Sequence, residues 1–136
     1  MVEIADIDFL VKDVLEKVYK AIKAEYKEEL KLWEKHPNAT MVSLRTDKRP
    51  LFGQNKGNLL WVDKLKQKDG NLRIHLQKLN NTPVGDYSEV DSGGYVKYHG
   101  GFGNCPWMKI YNYGEVDYVV ELAKYAFEWL FSGRKG

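Results

Sequence analysis

The residues with chemistry to offer fall in two groups. In the first, GGYVKYHGGFGNCPWMKIYN (93–112), five of the chain's twelve glycines surround its only cysteine, Cys105, and His99 stands six positions before it. A thiol attacks only as thiolate, which needs a base or positive charge beside it in a partly exposed setting. His99, across a bend, could supply that base, so His99 and Cys105 are outside candidates for a site. With His75 they are also eligible metal ligands. Their spacing, however, fits neither paired Cys-x-x-Cys nor His-x-x-x-His on a helix, so neither metal nor cofactor is expected. The competing reading of the stretch is structural. Clustered glycines beside strand-like runs supply positive φ, a bulge or close backbone approach, and Pro106 suits the first residue of a strand.

The second group is basic. The formal net charge of +2 hides an uneven distribution: residues 37–78 hold nine Lys/Arg against three acids, whereas residues 1–36 hold seven against nine and residues 79–136 five against seven. Lys48, Arg49, Lys56, Lys64, Lys66, Lys68, Arg73 and Lys78 are interleaved there with Phe52, Trp61 and His75. Cations neutralise phosphates and aromatic rings stack on bases, so an anionic partner, nucleic acid first, is expected at Lys48, Arg49, Lys56, Trp61, Lys64, Arg73 and His75. Trp61 also sits in an apolar run, which by itself reads as core.

Several enzyme classes drop out on spacing. GQNKGN (53–58) lacks the Gly-Lys-Ser/Thr ending of a phosphate loop, and GGFGNCP (100–106) lacks the third glycine of the dinucleotide fingerprint. A restriction-type nuclease needs an acid-x-Lys on a strand to hold a cation near phosphate, and the Glu-x-Lys runs, Glu29-Leu30-Lys31 included, fall in a helical pattern. No catalytic residues are assigned, and a non-enzymatic binding domain is expected. A protein-interaction domain or homodimer using an exposed sheet face or edge is the alternative.

These residues need elements to position them. Ile7, Val11, Val14, Val18, Ile22, Tyr26, Leu30 and Trp33 recur at three and four, which predicts an amphipathic helix over about residues 6–36, closed by Pro37. Val116, Val119, Val120, Ala123, Phe127 and Leu130 predict a second helix over about 115–132. Between them, over about 39–112, lie strand signals at 39–45, 58–65 and 71–78, with further ones at 95–99 and 107–112. Asp69-Gly70 marks a hairpin turn. Strands bracketed by helices, with no helix between successive strands, predict an α+β two-layer sandwich. Four to five mostly antiparallel strands would have both helices on one face, leaving Arg73, His75 and Gln77, with Trp61 or Lys64, on the other.

At 136 residues one domain is expected over 1–136. No apolar run approaches the roughly 18 residues of a membrane span, and the acid-rich start MVEIADIDFLVKDVLEK does not resemble a secretory signal. With a single cysteine, the cytoplasm is the expected location and no membrane partner is expected.

The C-terminal half, YVKYHGGFGNCPWMKIYNYGEVDYVVELAKYAFEW, resembles the closing motif of a family of small domains of unknown function, some labelled "predicted transport protein" and some attached to nuclease domains. The likeness rests on Gly100, Gly101 and Gly103, on Met108 to Ile110, and on the Val-Asp-Tyr-Val-x-x-Leu run of Val116 to Leu122 with Phe127. It implies an α+β sandwich and an accessory role beside nucleic-acid enzymes. It carries over no catalytic residues.

Overall fold

The computed structural model describes residues 7–34, 41–52, 57–63 and 71–131. Its elements are helix α1 (Ile7–Tyr26), strands β1 (Lys31–Trp33), β2 (Met41–Arg45), β3 (Asn58–Asp63), β4 (Leu72–Leu76) and β5 (Trp107–Ile110), and helix α2 (Val116–Leu130). The strands form one sheet in the order β1-β2-β3-β4-β5, every neighbouring pair antiparallel. This is an α+β fold. The Asp69-Gly70 turn, Lys56, Lys64 and the stretch 53–56 of the glycine-containing loop lie outside the described residues.

Alternation decides which side of the sheet is covered. Leu44, Leu60, Val62, Leu72, Ile74, Leu76, Met108 and Ile110 share one core with Leu10, Val14, Val18 and Ile22 of α1 and with Val119, Leu122, Ala126, Phe127 and Leu130 of α2. Both helices therefore pack on one face. The intervening strand positions point the other way.

Two expectations need correction. The first helix ends at Tyr26 rather than near residue 36, because Lys27 turns left-handed (φ 58°) after donating its N–H to the Lys23 carbonyl at 3.0 Å. A left-handed non-glycine residue costs about 1–2 kcal/mol, offset here by strand pairing of Lys31, Leu32 and Trp33 with Arg45, Leu44 and Ser43. Leu30 and Trp33 fit helical spacing, but Leu30 and Leu32 against Lys31 and Trp33 equally fit a strand, and tertiary pairing chooses the latter. Secondly, the strand expected at 95–99 is reduced to one bridge, Lys97 to Trp107.

The chain between β4 and β5 is an ordered series of turns. Tyr87, fully buried, donates its hydroxyl to the Gln77 carbonyl at 2.5 Å, and its N–H donates to the Tyr98 hydroxyl at 3.1 Å. Asp91 accepts from the N–H groups of Tyr95 and Val96, both at 3.0 Å, and from the Tyr118 hydroxyl of α2. Tyr125 of α2 donates to Glu89 at 2.8 Å. Long-range side-chain bonds of this kind hold a turn-rich segment in one conformation where no ladder does.

Candidate functional site: the helix-free face of the sheet

Register assembles the site. Trp33 pairs with Ser43, Ser43 with Trp61, Trp61 with His75, and His75 with Trp107, so a single row crosses all five strands. On β2 to β5 its members alternate with buried apolar residues, and the row lies on the face away from the helices. Three of the chain's four tryptophans stand in this row. Their rings are half-buried to exposed, whereas Ser43 and His75 lie buried at the floor between them. Adjacent strands are about 4.8 Å apart, so Trp61 lies roughly 10 Å from Trp33 on one side and from Trp107 on the other.

Arginines from the neighbouring rows lie over the outer rings. The Arg45 guanidinium sits 3.9 Å from the centre of the Trp33 ring and that of Arg73 sits 4.0 Å from Trp107. Each such contact contributes about 0.5–2 kcal/mol, depending on desolvation. Arg45 Nε also donates to Asn58 Oδ1 at 2.6 Å, which fixes its direction. Arg73 is paired across the sheet with Asp63 on one side and Lys109 on the other. Among the described residues of this face stand the cations Lys31, Arg45, Arg73 and Lys109 and the acid Asp63, with Lys31 ion-paired to Asp47 at 2.5 Å.

The glycine-rich stretch turns out to build one end of this row. A Cβ on Gly101 would stand 2.2 Å from the Cys105 carbonyl oxygen and 2.7 Å from Trp107 Cδ1, so only glycine allows the bend to press against that ring. Gly103 follows at φ 56°, inside a single 3-10 turn, Phe102–Asn104. Trp107 is then fixed three ways. Its N–H donates to the Lys97 carbonyl at 2.9 Å, its carbonyl accepts from Lys97 N–H at 2.7 Å, and its indole Nε1 donates to the His99 carbonyl at 2.8 Å.

The expected site residues divide accordingly. Trp61, Arg73 and His75 come together on this face. Lys48 and Arg49 are exposed in the turn after β2, a segment tied to the end of α2 by the Leu51 N–H to Leu130 carbonyl bond at 2.7 Å. They follow the end of β2 and are not members of the tryptophan row. Gln77, expected on the open face, is buried and donates Nε2 to the Asn58 carbonyl at 2.8 Å. Trp33, Arg45 and Trp107 were not expected as site residues. Leu30, Lys31, Leu32 and Trp33 alternate in polarity enough to have suggested a strand, and Trp107 follows a strand-starting proline.

The outside candidates fare differently. His99 is exposed and engaged through its backbone carbonyl, while Cys105 is buried. Burial pushes the Cys105 thiol up, only partly countered by Lys78, which is opposite to what a nucleophile requires. For His75, burial and then the nearby Arg73 hold the imidazole below its ordinary 6.5, with Asp63 acting weakly the other way. It is therefore neutral at pH 7. Among the described residues no group of three His, Cys, Asp or Glu is placed to hold a metal ion, and no helix is long and apolar enough to cross a membrane.

Comparison with protein-family models, with curated proteins and with solved structures returns no match to this chain.

Proposed function

We propose that this domain binds single-stranded nucleic acid across the helix-free face of its sheet, without catalysis. The observation that carries the reading is the row Trp33–Ser43–Trp61–His75–Trp107 with Arg45 and Arg73 over its outer rings. Unstacked bases offer π-faces to tryptophan, and a guanidinium held over one face of an outer ring reaches the adjoining phosphate. A duplex hides its base faces, so the shape favours single strands. An accessory role beside nucleic-acid enzymes, which the family resemblance implies, is in keeping with this chemistry.

Fluorescence anisotropy of labelled single-stranded and duplex oligonucleotides, at two salt concentrations, tests it. Single strands bind more tightly than duplex, and affinity falls with salt because phosphate contacts release counterions. Trp61→Ala or Trp107→Ala weakens binding by about 1–3 kcal/mol, roughly five- to 150-fold. Arg73→Ala flattens the salt dependence more than Lys48→Ala with Arg49→Ala does. Absence of binding at low salt, or binding indifferent to both tryptophans, ends the reading.

A further inference from the structure

The opposite side of the sheet's first edge has a different character. Two apolar depressions, of about 310 and 340 Å³, lie end to end between α1 and the strands β1 and β2. Val11, Leu15, Leu32 and Val42 line one, and Leu15, Tyr19, Leu30, Leu32 and Leu44 the other. Leu32, common to both, is 57% exposed. β1 is the terminal strand of the sheet, hydrogen-bonded among the described residues to β2 alone.

The rim of these depressions says what fits there. Asp8, Lys12, Glu16 and Lys20 follow one another every fourth residue along α1, exposed and alternating in sign, and Glu34, next after β1, is the one other charged residue among those described in the lining. Lay a second α1 antiparallel across the first, about an axis midway between Lys12 and Glu16. Asp8 then meets Lys20 of the copy, and Lys12 meets Glu16, so every facing pair is unlike. Slip the register one turn either way and the pairs become Asp8 with Glu16 and Lys12 with Lys12, or Lys12 with Lys20 and Glu16 with Glu16. Those slips place like charges together, which costs affinity. The chosen register is thus the one in which all four rim charges meet unlike partners. Leu32 borders the depressions along the whole stretch from Asp8 to Lys20, so the axis that matches the helices also brings Leu32 near its copy and β1 antiparallel to its copy.

We propose that this surface is the seat of a second copy of the chain, in an isologous dimer that buries Leu15, Tyr19 and Leu32 and joins the two sheets edge to edge. A self-complementary charge pattern in a single register is what a two-fold interface requires and what a foreign peptide does not. The dimer would set the two copies of Trp33 diagonally across the joint and place the two tryptophan rows, staggered, on one face of the joined sheets. It stands whether or not the row binds nucleic acid.

Sedimentation equilibrium of the full chain over a concentration series tests the proposal. Wild type dimerises, and Leu32→Asp weakens self-association by about a hundredfold while leaving the far-ultraviolet circular dichroism unchanged. The double variant K12E/K20E and the double variant D8K/E16K are each monomeric alone and form a one-to-one heterodimer when mixed. If either double variant fails to fold, Leu32→Asp and the swap K12E/E16K, which restores unlike pairs and so dimerises, decide the matter. A wild-type monomer at about millimolar concentration, which would leave the groove to some other polypeptide, overturns the proposal. So does a dimer that survives both Leu32→Asp and charge reversal.

Discussion

The two edges of the sheet end in contrasting ways. At β5 the chain closes its own edge: Lys97 bridges to Trp107, the glycine bend packs against the indole, and the turn segment behind it is held by Tyr87, Asp91 and Tyr118. At β1 three residues, all exposed, form the terminal strand beside an apolar groove. Both edges carry a tryptophan with an arginine over it. The difference teaches that Trp107 is preorganised by covalent neighbours and long-range hydrogen bonds, whereas the Trp33 end has β2 as its neighbour and would gain further surroundings in the proposed dimer. Substitutions at the closed edge should cost folding stability; those at the open edge should cost self-association.

The largest effect is expected at Tyr87. Its ring is fully buried and its hydroxyl holds the Gln77 carbonyl, so Tyr87→Ala loses packing and leaves an acceptor unpaired. Urea unfolding should show a loss of about 3–5 kcal/mol. Leu32→Ala at the open edge should change the unfolding of the monomer by no more than about 0.5 kcal/mol. Equal losses at the two positions would break the contrast.

Gly101→Ala comes next. The added methyl meets backbone oxygen, which cannot swing aside, so the bend must shift and Trp107 with it. Overpacking of this kind costs about 1–3 kcal/mol. Tryptophan emission should move to longer wavelength as the indole loosens, and oligonucleotide affinity should fall with it. An unchanged spectrum would show that the bend does not set the ring.

Much of this architecture was legible in the residues. Apolar spacing of three and four located α2 closely, because every turn of Val116–Leu130 buries the same side, and alternation located β3 and β4. The break at Lys27 was hidden because the apolar positions 30 and 33 serve a helix and a strand alike. The anchoring of the segment before β5 was hidden for another reason: Tyr87, Asp91 and Glu89 act on partners 10 to 36 residues away, and no local pattern records such bonds. The site divides the same way. Basic and aromatic composition pointed to Trp61, Arg73 and His75, but Trp33 and Trp107 join them only through strand register, a property of pairing between segments.

The smallest predicted effect concerns His75, which lies on β4 between Trp61 and the anchored Trp107. Burial and Arg73 hold its folded-state imidazole below the ordinary 6.5 that the unfolded chain retains. Above that value both states are neutral and His75 adds no pH dependence. As pH falls through it, the unfolded chain takes up the proton first, so folding stability drops, and the drop stops once the folded imidazole also protonates. His75→Gln removes this contribution while keeping a polar side chain at the floor of the row. Urea midpoints measured between about pH 7.5 and about pH 5 should therefore decline further for wild type than for the variant. Parallel declines would mean that the folded protein lets His75 ionise as freely as the open chain does, and the floor between Trp61 and Trp107 would then be wet rather than packed.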